Sequence, residues 1–140
     1  MKKDGQSGFS LIEMLLIMVI LGIITTIAIP YLLKAVHRSE ETNAFATLRT
    51  MSSSQVNYLS QNGRFARLDE LNAAQANALG TISGTDLVRG KFTFQMNPAS
   101  PTDADLRMGF TIIASKPGNA NESAYIISVD ETGEIQTIFP

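Results

Sequence analysis

The sequence predicts an α+β protein in which a long N-terminal helix packs on a small C-terminal antiparallel sheet of three to four strands. Three observations predict this class. Residues 9–29 are an apolar run of 21 residues, FSLIEMLLIMVILGIITTIAI, whose single charge is Glu13. A helical spacing of apolar side chains continues to residue 62, and short segments of alternating polarity follow residue 90.

The apolar run is long enough to be a membrane span. About 20 consecutive apolar residues cross the hydrocarbon core of a bilayer as a helix. The carboxylate of Glu13, four residues after Phe9, is costly in that setting, and an ionisable group inside a membrane indicates a function by default. The run therefore predicts a transmembrane first half for the long helix and a role for Glu13 with a charged partner.

Composition narrows the class of function. The 140 residues carry a net charge of −2, one histidine and no cysteine. Without cysteine there is no disulfide framework, thiolate metal site or cysteine nucleophile, and a single histidine argues against a transition-metal site. Arginines past the span alternate with acidic residues, so the sequence has no basic stripe for nucleic acid. We expect no cofactor and no nucleic-acid partner.

The residues around the start of the run distinguish three kinds of N-terminus. A secretory signal peptide has an apolar segment of roughly 7–15 residues and a small-residue cleavage site, but here the run is longer and Pro30 and Tyr31 follow it. A plain signal anchor fits the length but explains neither Gly8 before Phe9 nor Glu13. A cut in front of the run, which leaves the helix on the mature protein, fits all of these residues.

The sequence GFSLIE at residues 8–13, with a short polar leader before it and an apolar helix containing Gly22 and Pro30 after it, resembles the class III signal of type IV pilins and pseudopilins. The resemblance implies the pilin fold, cleavage after Gly8 by a membrane-embedded aspartic prepilin peptidase, and N-methylation of the new terminal Phe9. The chain is then the substrate of that reaction and not an enzyme.

Charge neutralisation gives a physical reason for the position of Glu13, which we expect to set the register of assembly. After cleavage the α-amine of Phe9 is a cation. An ammonium and a carboxylate that are buried together neutralise each other, whereas either one alone is costly. The pair forms within one chain, since residues four apart are neighbours on a helix, or between an incoming and an assembled subunit. The alternative is that Glu13 only reaches the membrane surface.

Charge also predicts the topology. Lys2 and Lys3 favour a cytoplasmic N-terminus, which places everything after the span in the periplasm or its equivalent. Lys34, His37 and Arg38 weakly oppose this orientation. We expect the following order of segments: a cleaved leader at 1–8, a transmembrane and filament-core helix at 9–33, its amphipathic continuation at 34–62, and a globular head at 63–140.

The long helix is predicted to bend at Pro30 and to end at Gly63. Past the span, side chains at spacings of three and four form one stripe, which contains Leu33, Val36, Glu40, Ala44, Thr47, Leu48, Met51, Gln55, Tyr58 and Leu59. Gly63 after Asn62 is a stop signal, because glycine readily adopts the left-handed cap. Proline removes a helix hydrogen bond and Gly22 is a second weak point, so we expect a kink near Pro30. The resemblance implies that the segment between Gly22 and Pro30 unwinds in the filament.

The head is predicted to contain one short helix and the strands. The helix lies within residues 65–79, with Leu68, Leu71 and Leu79 facing inward, and the Gly-, Thr- and Ser-rich residues 80–90 are expected to be a flexible connection. Strands are predicted near 91–96, 108–114, 125–129 and 134–139. The sequence DETG at residues 130–133 predicts a tight hairpin between the last two strands, with Gly133 at positive φ.

Two acidic loops are candidate cation sites. One contains Asp103 and Asp105, and the predicted hairpin contains Asp130, Glu131 and Glu134. Carboxylates are the ligands that calcium prefers, and the resemblance to major pseudopilins implies a calcium ion near the C-terminus in some members. The alternative is a charged hairpin tip that is simply solvated. Nucleotide-binding motifs are absent from the sequence.

These observations predict a membrane-anchored structural subunit. The resemblance implies that it lies first in the inner membrane and then in an extracellular pilus or a periplasmic pseudopilus. The resemblance implies a type IV pilus-like helical filament of identical chains, in which residues 9–33 exchange membrane lipid for neighbouring subunits. The partners are then the prepilin peptidase and an inner-membrane platform with a cytoplasmic ATPase. Two alternatives stay open: a major pseudopilin of type II secretion, and a membrane-anchored periplasmic binding domain that does not polymerise.

Overall fold

A helix of 52 residues, α1 (Leu11–Asn62), begins just inside the apolar run and ends at the predicted stop. The computed structural model describes residues 8–118 and 123–139. The predicted leader before Gly8, with Lys2 and Lys3, therefore lies outside the described residues. The chain divides between Arg38 and Ser39 into two units, which we describe in turn.

The first unit contains the apolar part of α1. Every residue from Gly8 to Val36 is exposed. Within the described part of the chain, α1 is the one helix that is long and apolar enough to cross a membrane, as judged by length and composition. An apolar helix with no buried face needs an apolar surrounding, because each exposed side chain is unfavourable in water.

The second unit begins with the rest of α1, whose end is set by glycine. Gly63 adopts the left-handed conformation with φ 69°, and its amide donates to the carbonyl oxygen of Leu59 at 2.9 Å. The buried side chains of α1 are Ala44, Thr47, Leu48, Met51, Ser54 and Gln55. These positions repeat at spacings of three and four, so the predicted stripe is the buried face of the helix in this unit.

Two short helices follow α1. α2 (Leu68–Ala74) is shorter than the predicted segment 65–79, but Leu68, Leu71 and Leu79 are buried as expected. α3 (Asp105–Met108) was not predicted, and it buries Leu106. The prediction of a strand starting at residue 108 is therefore wrong, because Met108 closes α3 and the strand begins three residues later, at Thr111.

The sheet has six strands instead of three to four, and they pair antiparallel in sequence order. The strands are β1 (Thr81–Ser83), β2 (Asp86–Arg89), β3 (Phe92–Met96), β4 (Thr111–Lys116), β5 (Tyr125–Asp130) and β6 (Ile135–Phe139). Residues 80–90, expected to be a flexible connection, instead form the β1–β2 hairpin. Gly84 makes this hairpin possible because it takes a positive φ of 66°, and buried Leu87 anchors it to the core.

The core of the second unit lies between α1 and one face of the sheet. Leu48 and Met51 of α1 belong to one buried cluster with side chains of four strands, namely Leu87, Phe92, Phe94, Met96, Ile112, Ala114, Ile127 and Val129. The alternation of buried and less buried residues along β3 and β4 gives the sheet this single apolar face. The predicted α+β class, a long helix packed on a small antiparallel sheet, is confirmed.

Candidate assembly site

The candidate assembly site is the N-terminal segment from Gly8 to Pro30. Gly8, Phe9 and Ser10 precede α1 and are exposed. The carbonyl oxygen of Ser10 accepts the amides of Glu13 at 3.1 Å and Met14 at 3.2 Å, which starts the helix. The peptide bond between Gly8 and Phe9 therefore lies in exposed, non-helical backbone, the form of chain that a peptidase can bind.

Glu13 lies in the first turn of α1, with its side chain exposed. A carboxylate at this end of a helix is favoured by the unpaired amides of the first turn. Phe9 lies outside the helix, so the four-residue helical spacing does not place its backbone nitrogen over Glu13. Pairing within one chain needs Phe9 to join the helix, whereas pairing between chains has no such requirement.

The segment from Leu21 to Pro30 combines two features that weaken a helix, although α1 continues through it. The hydroxyl groups of Thr25 and Thr26 donate to the carbonyl oxygens of Leu21 at 2.6 Å and Gly22 at 2.8 Å, a pattern that bends helices. Pro30 has no amide proton to donate to the carbonyl of Thr26. The kink and the unwinding of this segment stay predictions.

A buried glutamine holds the chain that returns from α1. The side-chain amide of Gln55 donates to the carbonyl oxygen of Ala66 at 2.8 Å, and the Ala66 amide donates to Oε1 of Gln55 at 2.7 Å. Both residues are fully buried. This two-way bond satisfies the backbone of a residue that belongs to neither helix nor strand.

A second link is an ionic network between the segment after α1 and the β3–β4 connection. The Arg64 guanidinium donates to both carboxylate oxygens of Glu70, at 2.8 and 2.6 Å, while Arg67 donates to Asp103 at 2.7 Å and to the carbonyl oxygen of Pro101 at 3.1 Å. The hydrogen bonds from Arg64, together with the backbone amide of Arg67, lower the pKa of Glu70 to about 2. The same pairing raises the pKa of Arg64.

A third link joins α1 to the sheet at Glu40. Its carboxylate lies 2.9 Å from Nζ of Lys91 and 3.5 Å from Nζ of Lys116. Lys116 is buried, and its ammonium also lies 5.9 Å from the centre of the Phe92 ring. The hydrogen bond from Lys91 holds the pKa of the Glu40 carboxyl below its usual value, and the charge of Lys116 adds to this effect.

The candidate cation ligands lie in loops whose carboxylates have protein partners in several cases. Asp103 is paired with Arg67, and Asp105 accepts the hydroxyl and amide of Thr102 at 2.7 and 2.9 Å, which lowers the pKa of Asp105. Asp130 accepts the Thr132 amide at 3.0 Å in the β5–β6 turn. Over residues 8–118 and 123–139, no three His, Cys, Asp or Glu side chains converge in a way that could hold a metal ion.

Comparison with known proteins bears on the N-terminal segment. Residues 3–29 match the family model described as the prokaryotic N-terminal methylation motif. The chain is also 34% identical over 59 residues to the type IV major pilin protein PilA of Myxococcus xanthus. Together these findings support a relationship of this chain to the type IV pilins and pseudopilins. The second match covers 42% of this chain and 27% of the relative's length. No solved structure matches the chain at a significant level.

Similarity to type IV pilins and pseudopilins gives the observed parts a common interpretation. Among the described residues, α1 is the helix that is long and apolar enough to anchor the chain in a membrane, and the methylation motif lies at its start. The motif ends at residue 29, so it includes Gly8, Phe9, Glu13 and Gly22 and stops one residue before Pro30.

The residues that the sequence did not single out are those that form the long-range links within the second unit. Gln55 appeared only as one member of the helical stripe, and Lys116 lies just past the predicted strand. A glutamine at a core position of an amphipathic helix is a signal that could have identified the first link, because a buried amide requires partners. Nothing local in the sequence pairs Glu40 with lysines 51 and 76 residues later.

Proposed function

We propose that this chain is the structural subunit of a type IV pilus-like filament. It is cleaved after Gly8, methylated on Phe9, held in the inner membrane by its apolar helix with the N-terminus in the cytoplasm, and polymerised through that helix. One observation carries the proposal: every residue from Gly8 to Val36 is exposed, and residues 9–29 contain a single charge. Such a surface has to be covered by lipid or by identical helices.

The filament explains why Glu13 lies where it does. In the membrane a lone carboxylate near the start of an apolar helix is unfavourable. Docking of Glu13 against the α-amine of Phe9 on an assembled copy removes both uncompensated charges at once, so the correct axial register is favoured over every other register. The similarity to a protein described as a type IV major pilin supports a pilin-like subunit, and a secretion pseudopilin is the alternative that the test below addresses.

The test compares four forms of the full chain in a cell that assembles its filaments: wild type, Glu13→Ala, Glu13→Gln and Glu41→Ala. Glu41 is a matched control, because it is a carboxylate on the same helix beyond the apolar segment. We expect the Glu13 variants to stay in the membrane fraction, with filaments recovered by shearing reduced more than tenfold. We expect Glu41→Ala to assemble like the wild type.

Mass spectrometry of the membrane-resident wild-type chain tests processing separately. The expected mass lacks residues 1–8 and carries one additional methyl group on Phe9. An intact octapeptide, or filaments from Glu13→Ala in wild-type amounts, contradicts the proposal. Filaments found only in the periplasm point to the secretion pseudopilus, and a processed chain that never forms multimers points to a non-polymerising anchor.

A further inference from the structure

A groove of about 410 Å³ lies between α1 and the β2–β3 turn, inside the second unit. Its walls include Asn43 and Thr47 of α1, Phe92 of β3, and the charged residues Glu40, Arg89 and Lys91. The groove is open to solvent on the side where Asn43, Arg89 and Lys91 are exposed. Two cations, Arg89 and Lys91, lie at its rim.

The charges at the groove favour an anionic occupant. Arg89 is held in place because its guanidinium donates to the carbonyl oxygens of Ala78 at 3.4 Å and Leu79 at 3.2 Å. Both acceptors are neutral carbonyls, and among the described residues Arg89 takes part in no ion pair. The Glu40 carboxylate is shared by Lys91 and by buried Lys116, so it offers little repulsion to a second carboxylate.

The complementary feature is the β5–β6 turn at the opposite end of the sheet. It contains Asp130, Glu131 and Glu134, and in the described part of the chain neither Glu131 nor Glu134 takes part in an ion pair. Strand register shows the separation: Arg89 pairs with Phe92 at one end of the sheet, while Asp130 pairs with Thr111 at the other end.

The two features of one chain cannot meet. The strands between them rise about 3.3 Å per residue over about five residues, so some 17 Å of sheet separates the turn from the groove. Complementary surfaces at opposite ends of a molecule make a head-to-tail contact, and such a contact between identical copies generates an open chain and not a closed dimer.

We propose that the groove receives the acidic β5–β6 turn of a second copy of this chain, with Glu134 of that copy against Arg89 and Lys91. The proposal rests on the filament role proposed above, since the shared apolar helices supply most of the association. Ion pairs at an exposed surface contribute little individually. The contact therefore selects the neighbour and its register, and it weakens as salt screens the charges.

The absence of cysteine from the sequence allows a direct test. In the full chain, Asn43→Cys and Glu131→Cys place one thiol in the groove and one on the turn. We expect mild oxidation of assembled filaments to give a ladder of covalent multimers for the double variant. Each single variant is expected to give no covalent multimers, because the proposed contact brings the groove of one copy to the turn of another and never joins two grooves or two turns.

Charge swaps on the double-cysteine background test the cause of the contact. We expect Arg89→Glu to reduce the ladder at least fivefold, and Arg89→Glu combined with Glu134→Arg to restore it. Arg89→Gln keeps a donor for the Ala78 and Leu79 carbonyls but removes the charge, so it should reduce the ladder less than Arg89→Glu does. Arg107→Glu is the matched control: it makes the same charge change at an exposed site outside the groove and should leave the ladder intact.

The outcomes separate this inference from the filament role. Three results would overturn docking of the turn in the groove while the filament role stands. They are filaments that give no ladder, a ladder that Arg89→Glu does not reduce, and covalent dimers from the Asn43→Cys variant alone. Absence of filaments from the wild-type chain overturns the filament role itself. Recovery by the combined swap shows that Arg89→Glu acted on the contact and not on folding.

Discussion

Glu70 accepts three hydrogen bonds, two from the Arg64 guanidinium and one from the backbone amide of Arg67 at 2.9 Å. Its side chain keeps 27% of its exposure, so the pairing is only partly screened by water. Bidentate bonds between arginine and a carboxylate are among the stronger polar contacts in proteins. At this residue the chain that leaves α1 is fixed to the start of α2.

We predict that Glu70→Gln lowers the free energy of unfolding by about 1–2 kcal/mol at pH 7. The folded-state pKa of about 2 lies below the ordinary value of 4.5. The stabilisation is therefore complete above pH 4.5 and is lost as the pH falls toward 2. Denaturant titration of the full chain in detergent, at neutral pH and at stepwise lower pH, measures the difference between variant and wild type.

Asp69→Asn is the matched control for this prediction. Asp69 is the neighbouring carboxylate in the first turn of α2, is exposed, and takes part in no ion pair among the described residues. We expect Asp69→Asn to change the free energy of unfolding by less than about 0.5 kcal/mol. A Glu70→Gln effect that persists unchanged at pH 2 contradicts the electrostatic explanation.

The composition of the β1–β2 hairpin is typical of a loop, although the segment forms two strands. Gly, Thr and Ser dominate residues 80–90, and these residues are typical of loops. The strands form because Leu87 is buried and because β2 pairs with β3 along three residues. Gly80 lies so close to β2 that a Cβ atom there would be 2.6 Å from the Val88 carbonyl oxygen.

We predict that Gly80→Ala destabilises the second unit by about 1–3 kcal/mol, because backbone has to move to admit the methyl group. Amide hydrogen exchange should show the largest loss of protection in β1 and β2. Gly84→Asn is the control: nothing lies within 4 Å of a Cβ atom there, and asparagine tolerates the positive φ of the turn. Equal loss of protection in both variants would show that close packing at Gly80 is not the cause.

At the scale of the whole molecule, the two units differ in where they place their apolar side chains. The second unit buries its apolar side chains between α1 and the sheet. The first unit exposes all of its apolar side chains from Phe9 to Val36, which is stable only in lipid or against other helices. A membrane-anchored subunit that later joins a filament requires both properties in one chain.

We predict that Ile20→Asp with Ile24→Asp releases the chain from membranes, because an aspartate at the centre of a span costs about 2.5–3.5 kcal/mol. Alkaline extraction of membranes measures the retained fraction, which should fall severalfold. Val56→Asp with Ser60→Asp adds the same two charges, also four residues apart, to an exposed face of α1 in the second unit. Loss of retention in that control would contradict the assignment of the span.

Local sequence was enough for the features that depend on neighbours along the chain. Helix periodicity in the sequence predicts the buried stripe of α1. The ability of glycine to adopt positive φ predicts the end of α1 at Gly63 and the β5–β6 turn, where Gly133 has a φ of 77°. The family resemblance rests likewise on contiguous residues, which the methylation motif at residues 3–29 confirms. The roles of Gly8, Phe9 and Glu13 stay predictions that the tests above address.

Only the tertiary structure decided the features that join distant residues. The β1–β2 hairpin, α3 and the pairing of Glu40 with Lys91 and Lys116 have no local signal. The core position of Gln55 signals that its amide needs a partner, but it does not identify Ala66 as that partner. Each of these features exists because packing of α1 on the sheet brings the groups together and removes the water that would otherwise satisfy them. The sequence by itself determined which segment is apolar and where the helix ends; the folded chain determined which polar groups meet.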